Sequence, residues 1–171
     1  MSELKKIEEL MGFEGNPITP LEMRTKIAYF ERFMHTLPDA KIGDAYPLKH
    51  EFINGIYYRT IYAPKGEIII TKLHKTEHKV LMLKGDVSIL TENGFIRKQA
   101  PCLMTSEVGA KRVCFIHEDT EWINIHANPE NIDELEVLEN NLIAKNYSEI
   151  GLEEPILEEL EDIEVLAIQE V

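Results

Sequence analysis

Apolar residues recur at helical spacing in the first part of the chain. A short helix is predicted over residues 2–11, where the apolar positions are Leu4, Ile7, Leu10 and Met11. A second helix is predicted to begin after Thr19, because Pro20 stands at the first helical position and Glu22 completes a capping box. It should run to about His35, before Pro38, with one apolar face formed by Met23, Ile27, Phe30 and Met34.

From about residue 50 the pattern changes to the two-residue alternation of strands. Seven short runs cover residues 56–62, 67–73, 79–83, 86–90, 95–97, 112–116 and 122–125. Turn residues separate them at 63–66 and at 92–94, the latter typical of a hairpin, and residues 117–120 are predicted to join the last two strands. Strands at this spacing predict an antiparallel sandwich or barrel.

The predicted elements divide the 171 residues into three parts around one core. These are a helical N-terminal arm (1–45), a β-barrel (46–128) and an acidic helical C-terminal segment (129–171). The fold class expected is therefore mainly β, an antiparallel barrel with N-terminal helices and a helical acidic tail.

The net charge of −13 is concentrated near the C-terminus. Residues 1–126 contain 17 acidic and 17 basic side chains, whereas residues 127–171 contain 14 acidic ones and a single base, Lys145. A neutral body without clustered lysine and arginine is not expected to bind nucleic acid. The acidic segment is either a solvated tail or an arm that docks on a protein partner, since Ile156, Leu160 and Ile163 would form an apolar helical stripe behind Pro155.

The sequence contains no apolar run of the roughly 18 to 20 residues needed to cross a bilayer, so no membrane association is expected. Its first residues also lack the apolar core of a signal peptide. We therefore expect a cytoplasmic protein in which Cys102 and Cys114 are reduced.

Histidines on the predicted strands provide the main candidate chemistry. His74 and His78 would lie about 13 Å apart on one straight strand, too far to share an ion. A bend at residues 75–77 would bring both imidazoles to one barrel mouth, the arrangement that a divalent transition metal favours. His126 is the first choice for a third ligand and His117 the second. The alternative is that these histidines are satisfied core or rim residues without a metal.

The spacing of glycines and histidines resembles the cupin superfamily, small barrels of the double-stranded β-helix type. The first cupin motif reads Gly, five residues, His-x-His, three or four residues, Glu, six residues, Gly. Its positions are occupied here by Gly66, Lys72, His74, His78 and Gly85. In the second motif, Gly109 is followed by Arg112 in the place of a histidine. The resemblance covers residues 57–127, and residues 72–78 and 117–126 also look like those of small cupin-like proteins encoded by tailed phages and prophages.

The resemblance implies a site for a divalent ion such as Zn, Fe, Mn or Ni, in which His74 keeps a family ligand position and His78 stands in the place of the glutamate. His126 is the candidate for the third imidazole. Lys72 and Arg112 stand where cupins have ligands, and a bound cation would raise their electrostatic cost, so both fit anion binding better. The remaining candidate ligand-binding residues are Glu77, His117 and Trp122.

Three functions remain open at this point. The first is a metal- or small-ligand-binding protein without turnover, of a phage-type accessory or virion-associated kind and located in the host cytoplasm or the virion. The second is a metal-dependent cupin enzyme of oxygenase, isomerase or lyase type with an altered ligand set, and the third is a purely structural oligomer or particle component. The sequence contains no nucleophile elbow, P-loop or dinucleotide fingerprint, which favours binding or structure over catalysis. Cupin-like barrels often pair, so a dimer is expected.

Overall fold

The computed structural model describes residues 19–38, 41 and 45–157. The predicted helix over residues 2–11 and most of the predicted C-terminal helix lie outside these residues. The described elements are α1 (Pro20–Met34), β1 (Leu48–Ile53), β2 (Ile56–Ala63), β3 (Ile68–Ile70), β4 (His78–Thr91), β5 (Gly94–Gln99), β6 (Cys102–Ser106), β7 (Val113–Ala127), α2 (Leu135–Leu142) and a 3-10 turn (Ser148–Ile150).

All strand pairings are antiparallel, and the two long strands β4 and β7 organise them. The strand order is β1-β2-β7-β4-β5, while β3 also pairs with β7 and β6 with β4. The first part of β4 pairs with β6 and its second part with β5; β7 pairs first with β3 and then with β2. The sheet therefore curls around one interior, and the prediction of a mainly β, antiparallel fold is confirmed.

The interior is an apolar core built from the inward faces of these strands. Its buried members include Ile61, Ile69, Val80, Met82, Val87, Ile89, Ile116 and Trp122. A second buried cluster lies on the outer surface of the sheet, where Met23, Ile27 and Phe30 of α1 pack against Leu90 and Phe115. The predicted helix and its apolar face are thus confirmed.

The start of α1 has the predicted capping box. The main-chain N–H of Glu22 donates to Thr19 Oγ1 at 3.2 Å, and the main-chain N–H of Thr19 donates to Glu22 Oε2 at 2.6 Å. These bonds satisfy donors that the first turn leaves open. Arg24 extends the attachment of α1 with two hydrogen bonds to Glu92 in the β4–β5 hairpin, at 2.8 and 3.1 Å.

Several strand boundaries differ from the prediction, and β3 covers only Ile68–Ile70 of the run predicted over 67–73. Residues 79–83 and 86–90 belong to one strand, β4, and residues 113–116 and 122–125 are joined in β7. Residues 117–120 are therefore strand and not a turn, since Glu118 pairs with Asp86 of β4 and Thr120 with Ala63 of β2. Strands β1 and β6 were not predicted; β1 carries Lys49, His50 and Glu51 in its centre, which hides its alternation.

A β-bulge explains why the sequence pattern of β4 predicts two strands instead of one. The register between β4 and β7 shifts between Met82 and Val87. Even-numbered residues of β4 face the interior before this point, and odd-numbered ones after it, because one extra residue reverses which side chains face inward. Gly85 has a φ of +115° there, and a Cβ on it would lie 2.8 Å from the Cα of Thr120. Only glycine fits this position without strain.

The chain after β7 packs back on the barrel. Leu138 and Leu142 of α2 contact Tyr57, and Ala144 and Tyr147 contact Leu73. Main-chain bonds add to this contact: the N–H of residue 75 donates to the carbonyl of residue 142, and that of residue 144 to the carbonyl of residue 73. In the described part of the chain, no helix is both long and apolar enough to span a bilayer.

Candidate metal centre

Three histidines from separate parts of the fold meet at one end of the barrel interior. His78 is the first residue of β4, and His126 is the penultimate residue of β7. His74 lies in the bend between β3 and β4, where a β-bridge to Ile143 holds its backbone. The side chains are buried, with exposures of 6% for His74, 5% for His78 and 2% for His126.

The three imidazoles are in mutual contact. One ring nitrogen from each lies within 4.8 Å of those of the other two. Ring centroids are 4.3 Å apart for His74 and His78, 4.2 Å for His78 and His126, and 5.4 Å for His74 and His126. Nitrogens bound to one tetrahedral zinc ion stand about 3.4 Å apart, so a small closure of the rings would bring them to bonding distance.

The hydrogen bonding of the rings fits a metal ion. The Nδ1 atoms of His74 and His126 are buried and have no hydrogen-bond partner among the described residues. Buried polar atoms nearly always have one, so a cation between the rings would satisfy atoms that the protein leaves open. His78 differs, because its Nδ1 lies 3.4 Å from the carbonyl oxygen of Thr76. If Nδ1 of His78 carries the proton and donates it to this carbonyl, the lone pair of Nε2 is the one that can bind a metal.

Burial keeps these imidazoles in the form that binds metals. Desolvation lowers the pKa of His74 to about 2, helped by its histidine neighbours, and that of His126 to about 3. The pKa of His78 is also lowered, again mainly by burial. Neutral imidazole has the lone pair that a divalent transition metal requires.

A cavity of about 90 Å³ opens beside the cluster, with His74 and His78 in its wall. Its floor is apolar and includes Ile61, Ile69, Val80, Met82, Val87 and Trp122. Three cationic side chains, Arg59, Lys72 and Arg112, also line the cavity, and Arg59 and Arg112 lie close enough to His74 to help lower its pKa. A smaller space lies between His74, His126 and α2.

The two predicted cations at this site have different partners. Lys72 Nζ lies 2.9 Å from Glu139 Oε1, an ion pair to α2. Arg112 instead donates to neutral oxygens: Nη1 to Ser106 Oγ at 3.0 Å and Nη2 to the Thr105 carbonyl at 3.3 Å. Burial lowers the pKa of Arg112.

The other predicted ligand-binding residues occupy different environments. Trp122 is buried in the core and lines the cavity. Glu77 is exposed in the bend before β4 and does not line the cavity. His117 lies on the opposite face of β7, with Nε2 2.8 Å from Ser88 Oγ and its ring against Phe115.

The alternation of β7 explains which histidine joins the cluster. Trp122 and Asn124 face the interior, and His126 follows on the same face two residues later. His117 has the opposite parity and faces outward with Phe115.

Arg59 and Asn124 also line the cavity, and sequence reasoning did not select them. The alternation of inward and outward side chains along their strands could have identified both residues. Arg59 stands between the buried Tyr57 and Ile61 on β2, and Asn124 stands between two candidate residues on β7.

Comparison with known proteins gives distant structural similarities. No protein-family model and no curated protein sequence matches the chain. A cupin-2 domain protein from Shewanella frigidimarina has 11% identity and a TM-score of 0.42 over 58% of this chain and 91% of that chain. An RmlC-like cupin with a double-stranded β-helix fold from Methanocaldococcus jannaschii has 15% identity and a TM-score of 0.40, over 53% of this chain and 89% of that chain. The Cnp3 cupin domain of Schizosaccharomyces pombe has 13% identity and a TM-score of 0.43, over 64% of this chain and 81% of that chain. Similarity at this level does not assign a family, so the functional proposal depends on the geometry of the site.

Proposed function

We propose that this protein is a cupin-like barrel that binds a divalent transition metal ion through His74, His78 and His126 and holds a small anionic ligand beside it. The observation that carries the proposal is the convergence of three buried imidazoles, two of which have an Nδ1 atom with no hydrogen-bond partner in the described part of the chain. When bound, such an ion acts as a Lewis acid on a neighbouring ligand. The protein holds the three donors on a bend and on the two central strands, and buries them at the end of a cavity whose lining is both apolar and cationic.

The composition of the cavity favours binding without turnover. Among the described residues, no aspartate or glutamate lines it, and Glu139, which lies beside His74 and His126 in the adjoining space, is already paired with Lys72. Cys114 also lines the cavity, but burial raises the pKa of its thiol to about 12, which keeps it protonated and unreactive. The alternative function, a metal-dependent cupin enzyme, would have to rely on the histidines and the metal for its chemistry.

The phage-type accessory or virion-associated role is the finer part of this proposal. It is supported by the resemblance of residues 72–78 and 117–126 to cupin-like proteins of tailed phages and prophages. A location in the host cytoplasm or the virion, a homodimer and a protein partner for the acidic segment belong to the same proposal. A structural role alone does not explain why two ring nitrogens are buried without a partner.

Metal analysis tests the proposed function directly. The purified protein is treated with a chelator, offered Zn²⁺, Fe²⁺, Mn²⁺ or Ni²⁺ separately, dialysed exhaustively and analysed by mass spectrometry for bound metal. We expect the wild type to retain one ion per chain and His78→Ala to lose it. His117→Ala is the matched control, since His117 is also on a central strand but outside the cluster. Equal retention by His78→Ala and wild type, or equal loss in both variants, would contradict the assignment.

A further inference from the structure

The charge balance of the cavity indicates the kind of ligand it takes. Its wall contains the cations Arg59, Lys72 and Arg112, and no carboxylate from the described residues. A divalent ion on the histidines would add further positive charge within the same space. Because a partly desolvated positive site is costly without counter-charge, an anionic ligand is expected to complete it.

Arg112 is the residue best placed to receive that anion. Lys72 already has a carboxylate partner in Glu139. In the described part of the chain, no carboxylate lies within ion-pair distance of Arg112, whose side chain donates only to Ser106 and Thr105. These two bonds to neutral oxygens hold the guanidinium against β6, while Glu107 acts on its charge without forming an ion pair. A planar guanidinium matches a carboxylate through two parallel hydrogen bonds.

The rest of the cavity limits what can be attached to the anionic group. Beyond the cations, its walls are aliphatic and aromatic side chains, including Ile69, Met82 and Trp122. A volume of about 90 Å³ is smaller than the roughly 150 Å³ of an apolar cavity that holds one benzene molecule. The ligand is therefore small, with one charged end and one apolar end. Phosphate carries strongly hydrated oxygens on every side, so it would leave some of them against the apolar floor without partners.

We propose that the site selects a small monocarboxylate with a short alkyl chain. The carboxylate pairs with Arg112 at the end of the cavity next to the histidines, and the alkyl chain occupies the apolar floor. This inference rests on the proposed function, because the same cavity adjoins the metal centre. It adds the substrate class and assigns carboxylate recognition to Arg112.

Binding of propionate tests the inference, with propionamide as a neutral probe of the same shape and propylammonium as a cation of similar size. Titration calorimetry is performed on metal-free and zinc-loaded protein. Propionate should bind in both forms, and more tightly with zinc, while propionamide and propylammonium should bind at least roughly ten-fold more weakly, as expected for loss of a charged hydrogen bond. Inorganic phosphate is included, and preferential binding of phosphate would overturn the monocarboxylate assignment.

Arg112→Gln should weaken propionate binding by roughly ten- to a hundred-fold. Arg32→Gln, at an exposed position in the last turn of α1, is the matched control and should bind as the wild type does. Arg112→Lys retains the charge without the forked geometry and should give an intermediate affinity. Wild-type affinity in Arg112→Gln would overturn the role of this residue.

Two further measurements keep the inference separate from the proposed function. Metal content is determined for each sample, and Arg112→Gln should retain its zinc while losing propionate. If wild type binds propionate but no metal, the proposed metal function fails and the carboxylate site stands. The second measurement uses the wild type alone, so it does not depend on whether Arg112→Gln folds. Affinity should rise from acetate to propionate and fall for carboxylates whose alkyl chain is too long for the cavity. Equal affinity along this series would refute an apolar pocket for the alkyl chain.

Discussion

Replacement of Gly85 by alanine tests whether the bulge of β4 requires glycine. The bulge matters for the site, because it lets His78 and Val87 face the same interior from one strand. At a φ of +115°, alanine costs about 1 to 3 kcal/mol of backbone strain. The new Cβ would also lie 2.7 Å from the Cβ and 2.8 Å from the Cα of Thr120, an overlap that costs about 1 to 3 kcal/mol more. We expect a total loss of about 2 to 6 kcal/mol, a large part of the stability of a typical domain.

Gly66→Ala provides the control for this prediction. Gly66 also has a positive φ, +86°, but beyond its chain neighbours no atom of the described residues lies within 4 Å of the position that a Cβ would take, so only the strain of about 1 to 3 kcal/mol applies. Urea unfolding can be followed by the fluorescence of Trp122, the single tryptophan, which is buried in the core. Gly85→Ala should lose more unfolding free energy than Gly66→Ala. Equal losses in the two variants would refute the steric part of the reasoning.

Two other predictions concern the outer surface of the sheet. Ile27→Ala should lower the unfolding free energy by about 2 to 5 kcal/mol, since this side chain is fully buried between α1 and the sheet; a loss below about 1 kcal/mol would mean that α1 contributes little to the fold. Two hydrogen bonds from Arg97, each 2.8 Å long, and a third from Gln99 hold the pKa of Asp86 at about 2. Because this pKa is below the ordinary value, the carboxylate stabilises the fold above about pH 4, and the contribution disappears as the pH falls through 2. The unfolding free energy of the wild type should exceed that of Asp86→Asn by about 1 to 2 kcal/mol at pH 6, after allowance for the exposure of Arg97, and the two values should become equal near pH 2. A difference that does not change with pH in the same urea assay would contradict this.

Short-range patterns were sufficient for the elements with strong local chemistry. The capping box at Thr19 and the apolar face that follows it predicted α1 correctly, because both depend on residues within one or two helical turns. The turn at residues 92–94 was also correct, as its glycine adopts the positive φ that such hairpins require. The overall fold class followed from the number and spacing of the short apolar runs.

The strand boundaries depended on long-range pairing. Residues 117–120 resemble a turn in composition, yet they continue β7 because β4 pairs with Glu118 and β2 pairs with Thr120. The bulge in β4 interrupts the alternation at Gly85 and made one strand appear as two. Hydrogen bonds between distant residues therefore determined the lengths of the strands, which local composition does not encode.

For the candidate site, too, the sequence determined some features and the tertiary structure determined others. The spacing of His74 and His78 around a bend, together with the resemblance to the cupin motif, pointed to a shared position for two imidazoles before any coordinates. The alternation along β7 brings His126 to them and turns His117 away, but that alternation could be read only once residues 113–127 were known to form one strand. Arg112 was a candidate from the sequence, whereas the absence of a carboxylate partner among the described residues is a property of the folded chain. Residue type and spacing thus defined which groups can bind a cation or an anion, and the register of the long strands decided which of them share one cavity, because register determines the face on which each side chain lies.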